Sequence, residues 1–529
     1  MLNLHNITYT HPDGDVLFSD LNFIVNKQDK IALIGSNGTG KSTLLNIIAR
    51  NLRPSSGSVK TEGRVYHVPQ LFGQYNDLSI AQALQVHDKL HAFKEILDGR
   101  ATEEYMVLLD DDWGIEDRCK QALAHWNLES LDLSQKMGTL SGGQKARIFL
   151  AGIPICEPEI VLLDEPSNHL DLISRTILYD YIELAKHTLV TVSHDRTLLN
   201  LLNKMYELSN TGVRIYGGNY DFYTAQKKIE NEALAHDLHS KEKALKKAKE
   251  TERASLERQQ KLDARGKKKQ EKAGMPKILL NTFKNKAEKS TSQMKEIHAE
   301  KTGLISREIV QLREVLPDTG RMKIDLDHSA LHKGKVLVDA KSVNVTYNGK
   351  PLWKQELNFQ VVSGDRIALK GANGSGKTSL IKMICGDLQP QTGVMSRVKT
   401  KTFCIDQEYS LINANLSVYE QAQWYNSGIL QEHEVKIRLN RFLFSRDDWD
   451  KTCGTLSGGE KMRLMLCILV LNHRAPDMII LDEPTNNLDI QNMEILTEAI
   501  NEYQGTLLVV SHDEYFLKQI NVENSITLS

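Results

Sequence analysis

The 529-residue sequence lacks any long apolar run, and its cysteines are few. No stretch of about 18 consecutive apolar residues occurs, so a transmembrane helix is not expected. The six cysteines form no C-x-x-C pair, which is typical of reduced, buried thiols. The first residues, MLNLH, lack the basic and then apolar pattern of a signal peptide. These absences predict a cytoplasmic protein.

Net charge is also nearly absent. The chain has 66 Lys and Arg against 68 Asp and Glu, a formal charge of −2, so as a whole it has no nucleic-acid-binding signature. Hydrophobic residues make up 40% and charged residues 25%, as in ordinary globular proteins. The length exceeds what one hydrophobic core supports and predicts two or more domains.

A glycine-rich motif, G-x-x-x-x-G-K-[ST], occurs twice. Its glycines let successive backbone N–H groups point at phosphates, and the helix that follows adds its positive end. The lysine reaches the β- and γ-phosphates, and the hydroxyl after it holds Mg²⁺. The repeat predicts two nucleotide sites. The copies are Gly35, Ser36, Asn37, Gly38, Thr39, Gly40, Lys41, Ser42 and Thr43, and then Gly371, Ala372, Asn373, Gly374, Ser375, Gly376, Lys377, Thr378 and Ser379.

Short apolar runs predict strands that lead into the polar motifs. Residues 30–34 form a run before the first glycine-rich motif, and residues 160–163 form a run that ends at Asp164 and Glu165. Ligands of open α/β sheets bind at the carboxyl ends of such strands. There Asp164 can hold Mg²⁺ through water, and Glu165 can deprotonate an attacking water. The pattern predicts an α/β fold with a parallel sheet.

Other local patterns give further expectations. Residues 2–25 alternate apolar and polar positions around a turn at 12–14, which predicts antiparallel strands. The first glycine-rich motif should be followed by a helix at 43–50, and residues up to about 136 should be mostly helical. The serine- and glycine-rich turn at 140–144 precedes a helical run at 145–152, which Pro154 should end or kink.

The order of these motifs resembles that of the ATP-binding cassette (ABC) ATPases. After the first glycine-rich motif come Gln70, LSGGQ at 140–144, DEPSNHLD at 164–171 and SHD at 193–195. The second copy repeats the set with Gln407, LSGGE at 456–460, DEPTNNLD at 482–489 and SHD at 511–513. The resemblance covers nearly everything except the middle of the chain. It implies two cassettes that meet head to tail with two ATP molecules between them. Each cassette would have a parallel-sheet core, an antiparallel β subdomain and a helical subdomain.

The resemblance also implies a role for each matching residue. Glu165 and Glu483 are the expected general bases, and His194 and His512 the expected γ-phosphate sensors. The expected Mg²⁺ site residues are Ser42, Gln70, Asp164, Thr378, Gln407 and Asp482. The first site would face Ser457, Gly458 and Gly459 of the other cassette, and the second would face Ser141, Gly142 and Gly143.

Three positions depart from the family pattern. Family members place an aromatic ring under adenine near the start of the cassette. Tyr347 fits this in the second copy, whereas His11 falls there in the first, with Tyr9 two residues earlier. The adenine contact of the first site is therefore open. Ser167 replaces a commoner threonine and Asn487 a commoner histidine, and neither is expected to prevent hydrolysis.

The middle of the chain has a different character. Residues 224–265 contain no proline or glycine and predict one helix, residues 266–276 predict a break, and residues 281–316 predict a second helix that stops at Pro317. Between Lys241 and Lys295 there are 18 Lys and Arg against 7 Asp and Glu. A charge run is often only a solvated face or a spacer. Because this excess is local and flanks a loop, it favours a polyanionic partner.

Two cassettes joined by a long, charged helical linker resemble the ABC-F subfamily. The expected domains are a cassette at 1–220, a helical linker at 221–335 and a cassette at 336–529. The resemblance implies a monomeric ATP-driven clamp whose linker, through residues 241–295, touches the ribosome and P-site tRNA near the peptidyl-transferase region. It would modulate translation or protect against antibiotics. The stretch between Gln70 and Ser141 is longer than its counterpart in the second copy, and the extra residues, at 92–113, would form a short arm. An ATPase acting on DNA, or the motor subunit of a membrane transporter, are the alternatives.

Overall fold

The computed structural model describes residues 1–209, 212–272, 277–315, 331–347, 349–372, 374–426, 430–471, 475–486 and 488–528. Within these ranges it describes no side chains for residues 260, 263, 266–272, 277–291, 294, 295, 314, 315 and 347. The chain divides into two compact units, one made of Met1–Asp221 and Arg321–Ser529 and the other of Phe222–Gly320. In the part of the chain so described, no helix is both long and apolar enough to cross a membrane.

The first half of the larger unit, the first cassette, alternates strands with helices. Its strands are β1 (Leu2–Thr10), β2 (Val16–Val25), β3 (Lys30–Ile34), β4 (Ser56–Thr61), β5 (Val65–Val68), β6 (Ile160–Asp164), β7 (Thr188–Val192), β8 (Lys204–Ser209) and β9 (Gly212–Tyr216). Its helices are α1 (Lys41–Ile48), α2 (Ile80–Ala83), α3 (His87–Leu97), α4 (Glu103–Leu109), α5 (Ile115–His125), α6 (Gly142–Cys156), α7 (Leu172–Leu184) and α8 (Arg196–Asn200).

Two sheets organise this cassette. The antiparallel sheet has the order β2-β1-β4. The pairing of β1 with β2 is the one that the alternating pattern and the turn at 12–14 predict. The larger sheet has the order β5-β6-β7-β3-β8-β9 and is parallel except at β9. Strands β6 and β7 are buried along their whole length, as expected for central strands of a parallel sheet. The order brings the carboxyl ends of β3, β6 and β7 to one edge.

Helix α6 corrects one expectation. It begins at Gly142 and continues through Pro154 to Cys156, so the proline does not end it. Proline removes a single backbone donor, so the helix loses one hydrogen bond, and it ends only two residues later. The helix after the first glycine-rich motif is also shifted. It runs from Lys41 to Ile48, and Arg50 already has a positive φ of 63°.

The smaller unit contains the linker helices α9 (Tyr220–Lys272) and α10 (Lys277–Val315). Lys241 pairs with Glu308 and Arg313 pairs with Glu242, each at 2.6 Å, so the helices run antiparallel as predicted. The break predicted at 266–276 is wrong for residues 266–272, which are helical, and the second helix begins at 277 rather than 281. A lone glycine costs a helix only about 1 kcal/mol, and good helix formers surround Gly266. Residues 273–276 and 316–317 lie outside the described residues.

The second cassette repeats the architecture. Its strands are β10 (Val336–Asn344), β11 (Thr346–Tyr347), β12 (Lys350–Pro351), β13 (Leu357–Val362), β14 (Arg366–Lys370), β15 (Thr392–Arg397), β16 (Thr402–Ile405), β17 (Met478–Asp482), β18 (Thr506–Val510) and β19 (Asn524–Thr527). Its helices are α11 (Lys377–Cys385), α12 (Val418–Tyr425), α13 (Glu432–Arg441), α14 (Gly458–Leu471), α15 (Ile490–Glu502) and α16 (Glu514–Gln519). The sheet orders are β13-β10-β15 and β16-β17-β18-β14-β19, and β11 pairs with β12. The predicted α/β class is confirmed in both halves.

The extra residues of the first cassette, at 92–113, fall in helices α3 and α4 and the turns around them. Several of their apolar side chains are exposed to solvent, namely Leu97, Met106, Val107, Leu108 and Trp113. These side chains contribute little to the core, although Ala92 and Leu109 of the same segment are buried.

Candidate active site

The first glycine-rich motif forms a tight loop between β3 and α1. Gly40 is the N-cap of α1 and has a φ of 91°, a left-handed conformation that favours glycine. A Cβ there would lie 2.6 Å from Leu17 Cδ2, so a side chain does not fit. Lys41 is buried, and its Nζ donates to the carbonyl oxygens of Gly35 (2.8 Å) and Ser36 (3.0 Å). The loop therefore presents backbone N–H groups, a lysine and the start of α1 at one place.

The second copy has the same local geometry. Gly376 is the N-cap of α11 with a φ of 89°, and Lys377 Nζ donates to the Gly371 carbonyl oxygen at 2.8 Å. Lys377 Nζ also lies 3.2 Å from Nε2 of His512. Asn373 and Asn487 lie outside the described residues.

Strand β6 delivers two acids to the same edge of the sheet. Ser42 Oγ donates to Asp164 Oδ1 at 3.1 Å, which joins the glycine-rich loop to the end of β6. Burial raises the pKa of Asp164 to about 6, against the opposing effects of Ser42 and Lys41. Glu165 has a φ of 49°, and its counterpart Glu483 has the same value. Such a conformation is uncommon for a non-glycine residue and is often found at functional sites.

Each glutamate lies against the histidine of the repeated S-H-D motif. His194 Nε2 is 3.5 Å from Glu165 Oε1, and the His194 backbone N–H donates to Glu165 Oε2 at 3.4 Å. The matching Nε2–Oε1 distance between His512 and Glu483 is 3.3 Å. Both pairs are therefore built in the same way.

Burial sets the protonation of these pairs. It raises the pKa of Glu165 to about 8 and of Glu483 to about 7, and it lowers the pKa of both His194 and His512. The Asp164 charge raises the pKa of Glu165 further, whereas Arg175 and Lys377 pull that of Glu483 down. The imidazoles are thus neutral near pH 7, and each carboxyl group titrates close to that pH.

Most of the residues predicted for the first site line one cavity of about 460 Å³, but its described lining does not include Gly35, Ser36, Thr39, Gly458 and Gly459. Both cassettes contribute, because Ser457 of the second cassette lies opposite the glycine-rich loop of the first. The lining consists of His11, Leu17, Asn37, Gly38, Gly40, Lys41, Ser42, Thr43, Gln70, Asp164, Glu165, Val192, His194 and Ser457. Gly458 begins α14, whereas a Cβ on Gly459 would lie 2.3 Å from Asn492 Nδ2.

A second cavity, of about 320 Å³, lies beside the other glycine-rich loop. It brings Gly371, Ala372 and His512 of the second cassette against residues 171–173 of the first. The described lining does not include the signature residues 141–143, nor Thr378, Gln407 or Asp482. Ser141 caps α6 by accepting from the Gln144 backbone N–H, as Ser457 does from that of Glu460 at the start of α14. The two cavities therefore differ in their described linings.

The residues predicted at the adenine position are His11 in the first cassette and Tyr347 in the second. His11 lines the first cavity, and its ring contacts that of Tyr9 edge-on at 5.5 Å between centroids. His11 therefore lines the first cavity, whereas Tyr9 is not in its described lining. Tyr347 ends β11, and its side chain lies outside the described residues.

Sequence reasoning missed three residues at or near the boundary between the cassettes. Asp489 Oδ2 accepts the Asn37 backbone N–H at 3.1 Å, so the second cassette touches the first glycine-rich loop. Asp171, at the same place in the first cassette, lines the second cavity, and Arg175 lies one turn further along α7. Asp171 and Asp489 could have been found from the sequence, because each is the last residue of a copy of the repeated motif. Aligning the copies also sets Arg175 opposite Met493.

The first cavity suits a magnesium-bound triphosphate. Ser42, Gln70 and Asp164 offer only oxygen ligands, the type that Mg²⁺ prefers. Loop N–H groups and Lys41 suit the phosphates. Among the described residues, the buried Glu165 Oε1 has no hydrogen-bond partner, so it is left to act on a bound molecule.

Both halves of the chain match the family model described as ABC transporter, over residues 18–168 and 354–486. Fold, cavity and this match define an ATP-binding-cassette ATPase. The chain is 30% identical to ABC transporter F family member 5 of Arabidopsis thaliana, over 98% of this chain and 74% of that protein. It is 28% identical to the ATP-binding protein Uup of Escherichia coli strain K12, over 100% of this chain and 79% of that protein. The chain belongs to the ABC-F family of ATP-binding-cassette proteins.

One solved structure resembles the whole chain in fold. It is the complex of an archaeal ribosomal stalk protein with the archaeal ribosome recycling factor aABCE1. The match covers 97% of this chain and 86% of the other, with a TM-score of 0.57 and 19% identity. The fold of two cassettes on one chain is thus shared with that protein.

Proposed function

We propose that this ATPase is an ATP-driven clamp that acts on the ribosome and P-site tRNA through its linker. Residues 241–295 carry 18 Lys and Arg against 7 Asp and Glu in a chain of net charge −2, and this local excess carries the proposal. Helices α9 and α10 hold the segment as an antiparallel pair. Contacts between lysines and phosphates would make the interaction salt-sensitive. In this proposal the protein is cytoplasmic and either modulates translation or protects the ribosome against antibiotics.

Glu165 and Glu483 are proposed as the general bases of the two sites. Each lies at the end of a buried strand against a neutral histidine, and burial brings its pKa near the working pH. The carboxylate takes a proton from the attacking water, while His194 or His512 contacts the γ-phosphate. Mg²⁺, held by Ser42, Gln70 and Asp164 in one site and by Thr378, Gln407 and Asp482 in the other, would neutralise phosphate charge.

Closure of the cassettes on ATP is the proposed source of force. Asp489 contacts the Asn37 backbone, and Ser457 shares the cavity of the first glycine-rich loop. ATP in that cavity would touch both cassettes and hold them together, and hydrolysis would release them. We propose cassettes at 1–220 and 336–529, the linker at 221–335, and an arm within 92–113.

Sedimentation tests the partner. The Glu165→Gln, Glu483→Gln chain with ATP should move with ribosomes in a sucrose gradient. Adding Lys267→Gln, Lys268→Gln and Lys269→Gln should weaken that movement and make it more sensitive to salt. The matched control instead replaces three exposed cassette lysines, Lys60, Lys399 and Lys401, with glutamine. It should sediment like the Glu165→Gln, Glu483→Gln chain.

The alternatives give different results. If every variant stays at the top of the gradient, the ribosome is the wrong partner. Co-purified nucleic acid that DNase removes and RNase spares would then favour a DNA substrate. Recovery of the chain in membrane fractions would favour a transporter subunit. None of these outcomes alters the assignment as an ATPase.

A further inference from the structure

Arg175 is a buried cation on α7, four residues after the aspartate that faces the second site. Its Nε donates to the Leu170 carbonyl oxygen at 3.2 Å, and its Nη1 lies 3.8 Å from Asp195 Oδ2. Only about 7% of the residue is exposed. Asp195 is held from the other side by the Tyr179 hydroxyl, which donates to the same oxygen at 2.6 Å. The guanidinium is thus fixed between two motifs of the first cassette.

The second cassette has no such residue. The motif DEPSNHLD at 164–171 aligns with DEPTNNLD at 482–489, which places Met493 at the position of Arg175. Thr497 stands at the position of Tyr179. Asp513, the counterpart of Asp195, caps α16 through the Phe516 backbone N–H. The cation at this place is therefore a property of the first cassette only.

Arg175 lies next to the residues with which the first cassette reaches the second site. Residues 171–173, at the start of α7, line the cavity beside the second glycine-rich loop, and Arg175 lies one turn further along the same helix.

The geometry connects Arg175 to that site through Asp171. By binding the Leu170 carbonyl oxygen, Arg175 fixes the turn that carries Asp171. Asp171 lines the cavity that contains Gly371, Ala372 and His512, and its charge acts on Lys377. A displacement of this turn would therefore move an acid that faces the second glycine-rich loop.

We propose that Arg175 is a positioning residue that the first cassette supplies to the second ATP site, and that the first site has no counterpart. The inference rests on the proposed role of Glu483 as the base of that site. It makes the sites unequal: Arg175 holds the turn that carries Asp171 at the second site, whereas Met493 stands at the matching place after Asp489 at the first.

Rapid-quench hydrolysis of two prebound ATP molecules per chain tests this. In Arg175→Met, which copies Met493, half of the amplitude should slow about tenfold, because the turn that carries Asp171 is no longer held in place. The other half should keep its rate. Arg175→Lys, which keeps an N–H donor, should recover most of the lost rate. Equilibrium binding of a fluorescent ATP analogue should change less than about twofold.

Other outcomes overturn the inference. If Arg175→Met slows the whole amplitude equally, or lowers ATP affinity as much as it lowers the rate, Arg175 is only structural. If neither phase changes, the residue has no role at the site. The slowed phase must also be the one that Glu483→Gln removes. Should the Glu165→Gln, Glu483→Gln chain hydrolyse both ATP molecules at the normal rate, the proposed bases are wrong, and that failure is separate.

Discussion

Arg196 of the first cassette donates from Nη1 to Oε1 of Gln519 in the second cassette at 2.7 Å. Its guanidinium also lies over the ring of Tyr515, 4.9 Å from the centroid. The residue is about 3% exposed and begins α8, immediately after the S-H-D motif. The equivalent position in the second cassette is Glu514, an exposed residue at the start of α16. The cassettes are therefore joined by a contact that is separate from the nucleotide loops and is not reciprocated.

Replacing Arg196 tests how much this contact contributes. Arg196→Met should lower the free energy of unfolding by about 1–3 kcal/mol, because a buried charged hydrogen bond and a ring contact are lost. Urea unfolding at pH 7 measures it. The matched control Glu514→Ala removes only an exposed partner of Lys370 and should stay within about 0.5 kcal/mol of the parent. Equal effects of the two substitutions would mean that the contact adds nothing.

The two proposed bases should be separable from ATP binding. Glu165→Gln together with Glu483→Gln should reduce steady-state ATP turnover at least about a hundredfold, because a general base contributes about 10²–10⁴ to a rate. Glutamine keeps the size of the side chain, so ATP should still bind. Glu523→Gln, at an exposed position, serves as the control and should hydrolyse ATP normally. Normal turnover by the double variant would refute the assignment.

The glycine-rich loops should not tolerate a side chain at their last glycine. Gly40→Ala puts a Cβ into the space of Leu17 at a positive φ and should weaken ATP binding about tenfold or more. Gly73 offers a control, since a Cβ there meets nothing within 4 Å. Fluorescence titration with an ATP analogue compares them. Unchanged affinity in Gly40→Ala would show that the loop rearranges freely.

Acid should destabilise the first cassette in part through His67 on β5. Burial lowers the pKa of His67 from its ordinary 6.5 to about 4. Below pH 6.5 the His67 imidazole binds a proton in the unfolded chain but not in the folded chain. The free energy of unfolding therefore decreases as the pH falls from about 6.5 to about 4. His67→Gln should reduce the difference in urea midpoint between pH 7 and pH 5. His125→Gln serves as the control for loss of a surface histidine. If the parent, His67→Gln and His125→Gln all show the same difference in urea midpoint between pH 7 and pH 5, the prediction is wrong.

Much of the fold follows from local pattern. Apolar runs such as 160–163 must lie inside a parallel sheet, and the motifs at their ends must then share its carboxyl edge. The order of β6 beside β7 brings Glu165 to His194 as that reasoning requires. The helix ends were less predictable. Gly266 and Pro154 both lie within helices, because the neighbouring residues outweigh one unfavourable position.

The site was predictable within each cassette and less so between them. Residues close in sequence to a strand end, such as Lys41 and Asp164, were found from spacing alone. Asp489 and Asp171 lie against the opposite cassette, and their position depends on how two separately folded surfaces meet. No periodicity encodes that, although comparing the two copies position by position exposes the replacement of Arg175 by Met493.

Joining both cassettes in one chain changes how such differences arise. In a dimer of identical subunits, every substitution at the interface is made twice, so its cost is counted twice and both sites change together. Here a single codon change at 11, 175 or 196 alters one side only, and the other side keeps its own residue. The fused chain can therefore specialise one ATP site in single steps, each small enough for a marginally stable protein to survive.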